Sequence, residues 1–418
     1  MRTTRTRSIG ASLGGALVMV RLAIMPLTLA SPVLASPVLF PAAAPGPDHA
    51  PTLALAIEGA AETVFDHERD ACARWDAPDA PARAWRDALG FVRLIAGAAV
   101  NRAMSGPLLN AVSRDCAIVH VGGENDDPSA YDDHAWIAAI FTEDGRRVEA
   151  LAHVEYHGHR RPTLCPSGDY MRCWRNVVTE VVALDGDVRF RRSSQGALVA
   201  ALPYRYDGGQ RHRTGYFNPS NMIRVGDHLY AFVFAEAYGA QRRGACLLRR
   251  PVNGGAADWR AFNGDTFAIR FIDPYRERPA DPAAHVCAPV AGVSSTISSV
   301  IWHEKSRRFI AVTPAARKSA DRESTSGVWW MSSPDLQRWS APELLLAAPL
   351  LWRRDCDVPH AFAYPSLLDD DSPARMFDAA DDRFWLYLTR IWLADCKAGP
   401  RRDLVRYRVI LRQDGRAG

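Results

Sequence analysis

The chain has 418 residues, 48% of them aliphatic or aromatic, which allows a sizeable core in either two ordinary domains or one closed all-β array. Its formal net charge is +4, but residues 1–35 carry four arginines and no acid. The remainder is therefore close to neutral, and its charge offers no electrostatic footprint for a nucleic-acid partner.

At the N-terminus, Arg2, Arg5 and Arg7 precede an apolar run from Ile9 to Val20. After Arg21, a second apolar segment leads to the small-residue steps Thr28-Leu29-Ala30 and Val33-Leu34-Ala35. This is the layout of a secretory signal peptide over residues 1–35. Arg21 and Pro26 interrupt the run before it reaches the roughly 20 apolar residues of a spanning helix. Cleavage is expected, giving a secreted or periplasmic protein with no membrane attachment. Residues 36–60 are rich in Ala and Pro, as in Phe40-Pro41-Ala42-Ala43-Ala44-Pro45-Gly46-Pro47, and read as a linker unable to build a core.

Eight cysteines follow, at positions 72, 116, 165, 173, 246, 287, 356 and 396. An even number beyond an export signal reads as a disulfide framework. None forms a C-x-x-C pair, and the spacing of Cys165 and Cys173 is too wide for an ordinary zinc knuckle. Several connectivities are open, and the simplest pairs each cysteine with its neighbour in sequence.

Residues 61–115 are the least legible part, because Ala-rich runs such as Leu94 to Val100 suit helix or strand. Beyond them the pattern is β. Trp136 to Phe141 and Val148 to Tyr156 flank the turn Glu143-Asp144-Gly145, a hairpin signal. The arrangement recurs around Gly226, around Ser306 and before Phe384 to Thr389. Gly145, Gly226, Ser306 and Asp382 stand 81, 80 and 76 residues apart. A near-constant period of that length predicts four-stranded units with long loops, and one more unit before Gly145 makes five. The expectation is an all-β, five-bladed β-propeller over residues 61–418, with Asp-turn-Trp segments such as Asp335 to Trp339 packing an aromatic between sheets.

The segment Ser332-Ser333-Pro334-Asp335-Leu336-Gln337-Arg338-Trp339 resembles the blade-closing turn of five-bladed glycoside hydrolase propellers and sialidases. Tyr364-Pro365-Ser366-Leu367-Leu368-Asp369, with Phe384 to Arg390, resembles the last blade of exported bacterial proteins related to the arabinanase, xylosidase and invertase group. The resemblance is diffuse and spans roughly residues 75–412. It implies a carbohydrate substrate and hydrolysis by carboxylates projecting into a central channel from innermost strands. Two departures stand out. Where the group places an aspartate before a proline, this chain has Asn218, and the run Ser294 to Ser299 lacks the acid expected of a fourth blade. A non-catalytic carbohydrate-binding propeller and a sialidase-like enzyme are therefore the alternatives.

The candidate catalytic residues are Asp79, Asp133 and Glu155. Asp79, held between Pro78 and Pro81, is expected to be the general base, with Arg83 beside it keeping it ionised. Asp133 stands at the mouth of a strand whose Trp136 offers a face for sugar stacking. In His153-Val154-Glu155-Tyr156-His157, strand alternation puts His153, Glu155 and His157 on one face. Burial is expected to raise Glu155 for use as a general acid. The same row suits metal binding or a plain hydrogen-bonded surface equally well. Asn218 and Asn221 are fitted to sugar hydroxyls, and Arg390 to an anionic sugar. No cofactor is expected, although a structural calcium at Glu124, Asp126 and Asp127, or another metal, stays open.

Overall fold

The computed structural model describes residues 52–193, 197–318 and 324–414, so the expected leader lies outside the described residues. The protein is all-β. Helical structure among those residues is confined to the single turn His67–Asp70 and four short 3₁₀ turns.

The segment that composition leaves illegible forms the first sheet: Arg83–Arg86, Val92–Ile95, Val100–Gly106 and Ser113–Val121 pair antiparallel in chain order. Leu94 is thus in a strand, and the Ala-rich run after it is the turn between two strands. Next, His134–Phe141, Val148–His157 and Trp174–Ala183 form a meander whose last strand is buried at every position. Such a strand is covered on both faces, which suits its valine pairs Val177-Val178 and Val181-Val182. It continues by a parallel pairing into Thr214–Phe217, His228–Ala235 and Gly244–Pro251. Gly215 makes that junction possible. It has φ 113°, and a Cβ there would meet the Asn176 carbonyl oxygen at 2.0 Å. A further sheet joins Ser299–His303, Arg308–Lys318, Ser324–Ser333 and Glu343–Ala347.

The last sheet corrects the linker reading. Residues 36–60 were expected to be linker, but Thr52–Phe65 is a strand that pairs antiparallel with the C-terminal strand Lys397–Asp414, beside Arg383–Ala394 and His360–Leu368. Leu53, Leu55 and Ile57 recur at period two and pack on one cluster, a strand signal hidden beneath the Ala-rich composition. The turns at Gly145, Gly226 and Ser306 each join adjacent antiparallel strands. The fourth copy is looser, since Asp369 to Asp382 separates two paired strands and contributes the two-residue strand Ala379–Ala380 to the neighbouring sheet.

Four large apolar clusters each take residues from two units successive in the chain, and a fifth joins the last unit to the first through Phe65, Trp385 and Leu404 against Leu94 and Met104. Trp339 packs edge-on against Phe232 of the preceding unit, with 5.8 Å between ring centroids, the inter-sheet role expected of it. Four disulfides follow the neighbour pairing: Cys72–Cys116, Cys165–Cys173, Cys246–Cys287 and Cys356–Cys396. No helix among the described residues is long and apolar enough to cross a membrane.

Arg83 sits where the units meet. Its buried guanidinium donates to Ala138 O at 2.7 Å, Ser298 O at 2.8 Å, Pro219 O at 3.4 Å and Ser366 Oγ at 3.0 Å. These acceptors come from four different units. Arg83 is therefore a structural hub, correcting its expected roles as partner of Asp79 and as substrate ligand: its donors are already used on other parts of the chain.

Candidate active site

A cavity of about 430 Å³ opens beside this hub and brings together Asp79, Trp136, His153, Glu155 and Asn218, five of the nine residues singled out from sequence. His157, Tyr170, Trp174, Trp352, Tyr364 and Arg402 also line it.

One wall is the strand Val148–His157. Its alternation does put His153, Glu155 and His157 side by side. His157 Nε2 lies 2.8 Å from Glu155 Oε2, and His153 Nε2 lies 3.2 Å from Oε1. His153 Nδ1 accepts the Asn218 N–H at 3.2 Å, which leaves Nε2 toward Glu155, with the Asn176 side-chain amide against the same nitrogen. Burial pushes Glu155 upward, but the two imidazole hydrogen bonds outweigh it and hold the carboxyl at about 2, down from an ordinary 4.5. The expectation of a raised, protonated Glu155 is thereby overturned. Burial was recognisable from sequence, but two donors on the same strand decide the sign.

Asp79 lines the same cavity, on a loop pinned by its N–H donating to Gly97 O at 3.0 Å. Its partner is Arg402, which bonds Asp79 Oδ1, and the Tyr364 hydroxyl donates to the same oxygen at 2.9 Å. Burial raises Asp79 above the usual carboxylate range, and the nearby Glu155 charge pushes in the same direction; Arg402 and Tyr364 oppose without prevailing. The two carboxyls therefore sense each other across one cavity.

Asn218 and Tyr364 share an unusual backbone. Each precedes a proline, and each is left-handed, with φ 47° and 56°. For a bulky tyrosine that conformation costs on the order of 1–3 kcal/mol. At Tyr364 it coincides with a register shift between Ala363 and Ser366 that aims the ring into the cavity. The repeated pattern Asn218-Pro219-Ser220 and Tyr364-Pro365-Ser366 is the sequence signal that could have found Tyr364. Arg402 had none, because only the pairing of the last strands brings it to Asp79. Two disulfides shape the rim. Cys165–Cys173 closes the loop that stacks Tyr170 on Trp174, with centroids 5.0 Å apart, and Cys356–Cys396 joins the segments carrying Trp352 and Lys397.

The other sequence candidates lie outside the cavity. Asp133 is buried and accepts from His134 Nδ1 at 2.6 Å, Arg161 Nη1 at 2.8 Å and the His157 N–H at 2.8 Å. It braces the strand rather than facing ligand. Asn221 spans to the backbone of Val300, donating to its O and accepting from its N–H, both at 2.8 Å, which uses the amide as a strand tie. Arg390 pairs with Asp403 at 2.9 Å. Among the described residues, no group of three or more His, Cys, Asp or Glu side chains is arranged to hold a metal ion. Asp127 instead caps a 3₁₀ turn, and Asp126 meets Arg161 at 2.9 Å.

No protein-family model matches this chain, and no curated protein does. Solved structures similar to it include the Cellvibrio cellulosa α-L-arabinanase complexed with arabinohexaose, at 11% identity over 83% of this chain and 92% of that one, with a TM-score of 0.44. An exo-1,5-α-L-arabinanase from a bovine ruminal metagenomic library is 10% identical over 81% and 94%, with a TM-score of 0.42. A xylan β-1,4-xylosidase from Bacillus halodurans is 8% identical over 82% and 54%, also at 0.42. These belong to the arabinanase and xylosidase group that the segments at Ser332 and Tyr364 resemble.

Proposed function

We propose that this chain is an exported five-bladed β-propeller that hydrolyses glycosidic bonds in a polysaccharide or oligosaccharide, with Asp79 and Glu155 as the reacting pair. The arrangement of the five clusters and the Arg83 hub supports the propeller reading, and the disulfides support export. The observation that carries the activity is that two carboxyls facing one cavity are pushed apart in pKa, Asp79 up and Glu155 down. Such a separation assigns roles. The upward push on Asp79 favours it as the group that donates a proton to the leaving glycosidic oxygen. Glu155 stays anionic and serves the anomeric carbon, as nucleophile or as base for water. This reverses the roles read from sequence.

A non-catalytic carbohydrate-binding propeller is the second reading, favoured by Asn218 and by the absence of a carboxylate from Ser294 to Ser299. The sialidase-like alternative loses its sequence support, because Arg390 is tied to Asp403. The deciding experiment is a reducing-sugar release screen over a polysaccharide panel, with Glu155→Gln as control. Turnover falls by at least ~10²-fold in the variant while binding is kept. Undiminished hydrolysis by that variant removes Glu155 from the mechanism, and binding without any release supports the second reading.

A further inference from the structure

The unused hydrogen-bonding capacity of the cavity lies on three donors and on His157 Nδ1. Both of its carboxylates are engaged, Asp79 by Arg402 and Tyr364 and Glu155 by His153 and His157. The indole N–H groups of Trp136 and Trp174, by contrast, are buried without an acceptor, and so is Arg354 Nε. All three side chains line the cavity, and Trp174 is only 5% exposed. Tryptophan, arginine and lysine can only donate, so a ligand that satisfies them must be rich in acceptors.

Charge points the same way. Arg354 binds the carbonyls of Leu351 and Cys396, which occupy its Nη atoms without neutralising it. Lys397 lines the same cavity and is exposed. Among the described residues, neither cation forms an ion pair. Asp355, Asp357 and Asp395 stand nearby in sequence but line none of the cavity. The Cys356–Cys396 disulfide ties the segment carrying Arg354 to the turn carrying Lys397, so the two cations are held on one side. Trp352 lines the same cavity, is 70% exposed and offers a flat apolar face of the kind that sugar C–H groups cover.

We infer that the cavity takes an anionic saccharide, one whose carboxylate or sulfate lies against Lys397 and Arg354 while a sugar ring covers Trp352. The inference rests on the carbohydrate reading above and names the class of sugar. A neutral chain answers the N–H groups through its hydroxyl oxygens but leaves the two cations without a counter-charge, whereas an anionic oxygen supplies both through charge-assisted hydrogen bonds.

The test is direct binding by calorimetry on the full chain carrying Glu155→Gln, repeated on the unaltered chain in the cold. The probes are trigalacturonate, a sulfated galactan trisaccharide and neutral galactotriose. At least one charged trisaccharide should bind ~10-fold or more tightly than the neutral one at about 0.02 M salt, with most of the advantage gone by about 0.5 M. Which of the two wins distinguishes carboxylate from sulfate. Lys397→Ala should weaken the charged ligand by roughly 5-fold or more and leave the neutral one within about 2-fold. Equal affinity for charged and neutral sugars, or equal losses for both on Lys397→Ala, overturns the inference. Hydrolysis is scored separately. A charged sugar that binds but is never cleaved counts against the hydrolase reading alone, and cleavage of neutral sugars with no charged preference counts against this inference alone.

Discussion

Asp133 and Glu155 are neighbours built from the same parts, a carboxylate with imidazole and, for Asp133, guanidinium donors. His157 touches both, giving its N–H to Asp133 and its Nε2 to Glu155. For each, burial pushes the pKa up and donors win, so both carboxyls are held low. What separates them is access. Glu155 lines the cavity, while the Asp133 side chain is 1% exposed and does not. A perturbed carboxylate is thus no evidence of chemistry by itself; the cavity in front of it is.

The largest effect should come from breaking the sealed member. Asp133→Ala leaves Arg161 and His134 without their buried anion and should destabilise the protein by about 3–5 kcal/mol in urea unfolding. A loss under about 1 kcal/mol would erase the distinction between brace and site.

Acid titration sharpens the comparison. Glu155 is lowered from 4.5 to about 2, so its stabilisation is complete above pH 4.5 and is lost as the pH falls toward 2. The lost stability amounts to about 3 kcal/mol, seen as a slope of unfolding free energy against pH that Glu155→Gln reduces, leaving the part that Asp133 contributes. An unchanged slope in Glu155→Gln would mean that the two imidazoles do not hold the carboxylate.

The cavity rim should separate from the core in the same way. Cys165–Cys173 closes only 8 residues, against 44 for Cys72–Cys116, so chain entropy assigns them about 2.5 and about 4 kcal/mol. Replacing Cys165 and Cys173 with serine should therefore cost less stability than replacing Cys72 and Cys116, yet weaken sugar binding more, because Tyr170 is released from Trp174. Tryptophan fluorescence and calorimetry on the two variants read this, and equal effects on binding would disprove it.

The smallest effect concerns Asp79. Tyr364→Phe removes a hydrogen bond that favours the ionised carboxylate, so Asp79 rises further and the alkaline limb of kcat should move up by about one pH unit. A limb that moves down, or stays, would show that Asp79 is not the proton donor.

Much of the architecture was legible from residues alone. The period through Gly145, Gly226 and Ser306 located three hairpins, because turns and strand alternation are local properties of the chain, whereas the even cysteine count implied disulfides without choosing their pairing. Local alternation also put His153, Glu155 and His157 on one face. Three matters were not local. Thr52–Phe65 is a strand because the C-terminal strand offers it hydrogen bonds, whatever its Ala-rich composition suggests. Arg83 and Arg402 exchanged roles because partners are chosen by which units converge: Arg83 is committed to acceptors from four units, and Arg402, 323 residues away, reaches Asp79. The signs of the pKa shifts followed in turn, since a carboxyl's charge depends on the balance of burial against donors. That balance exists only once the strands are folded against one another.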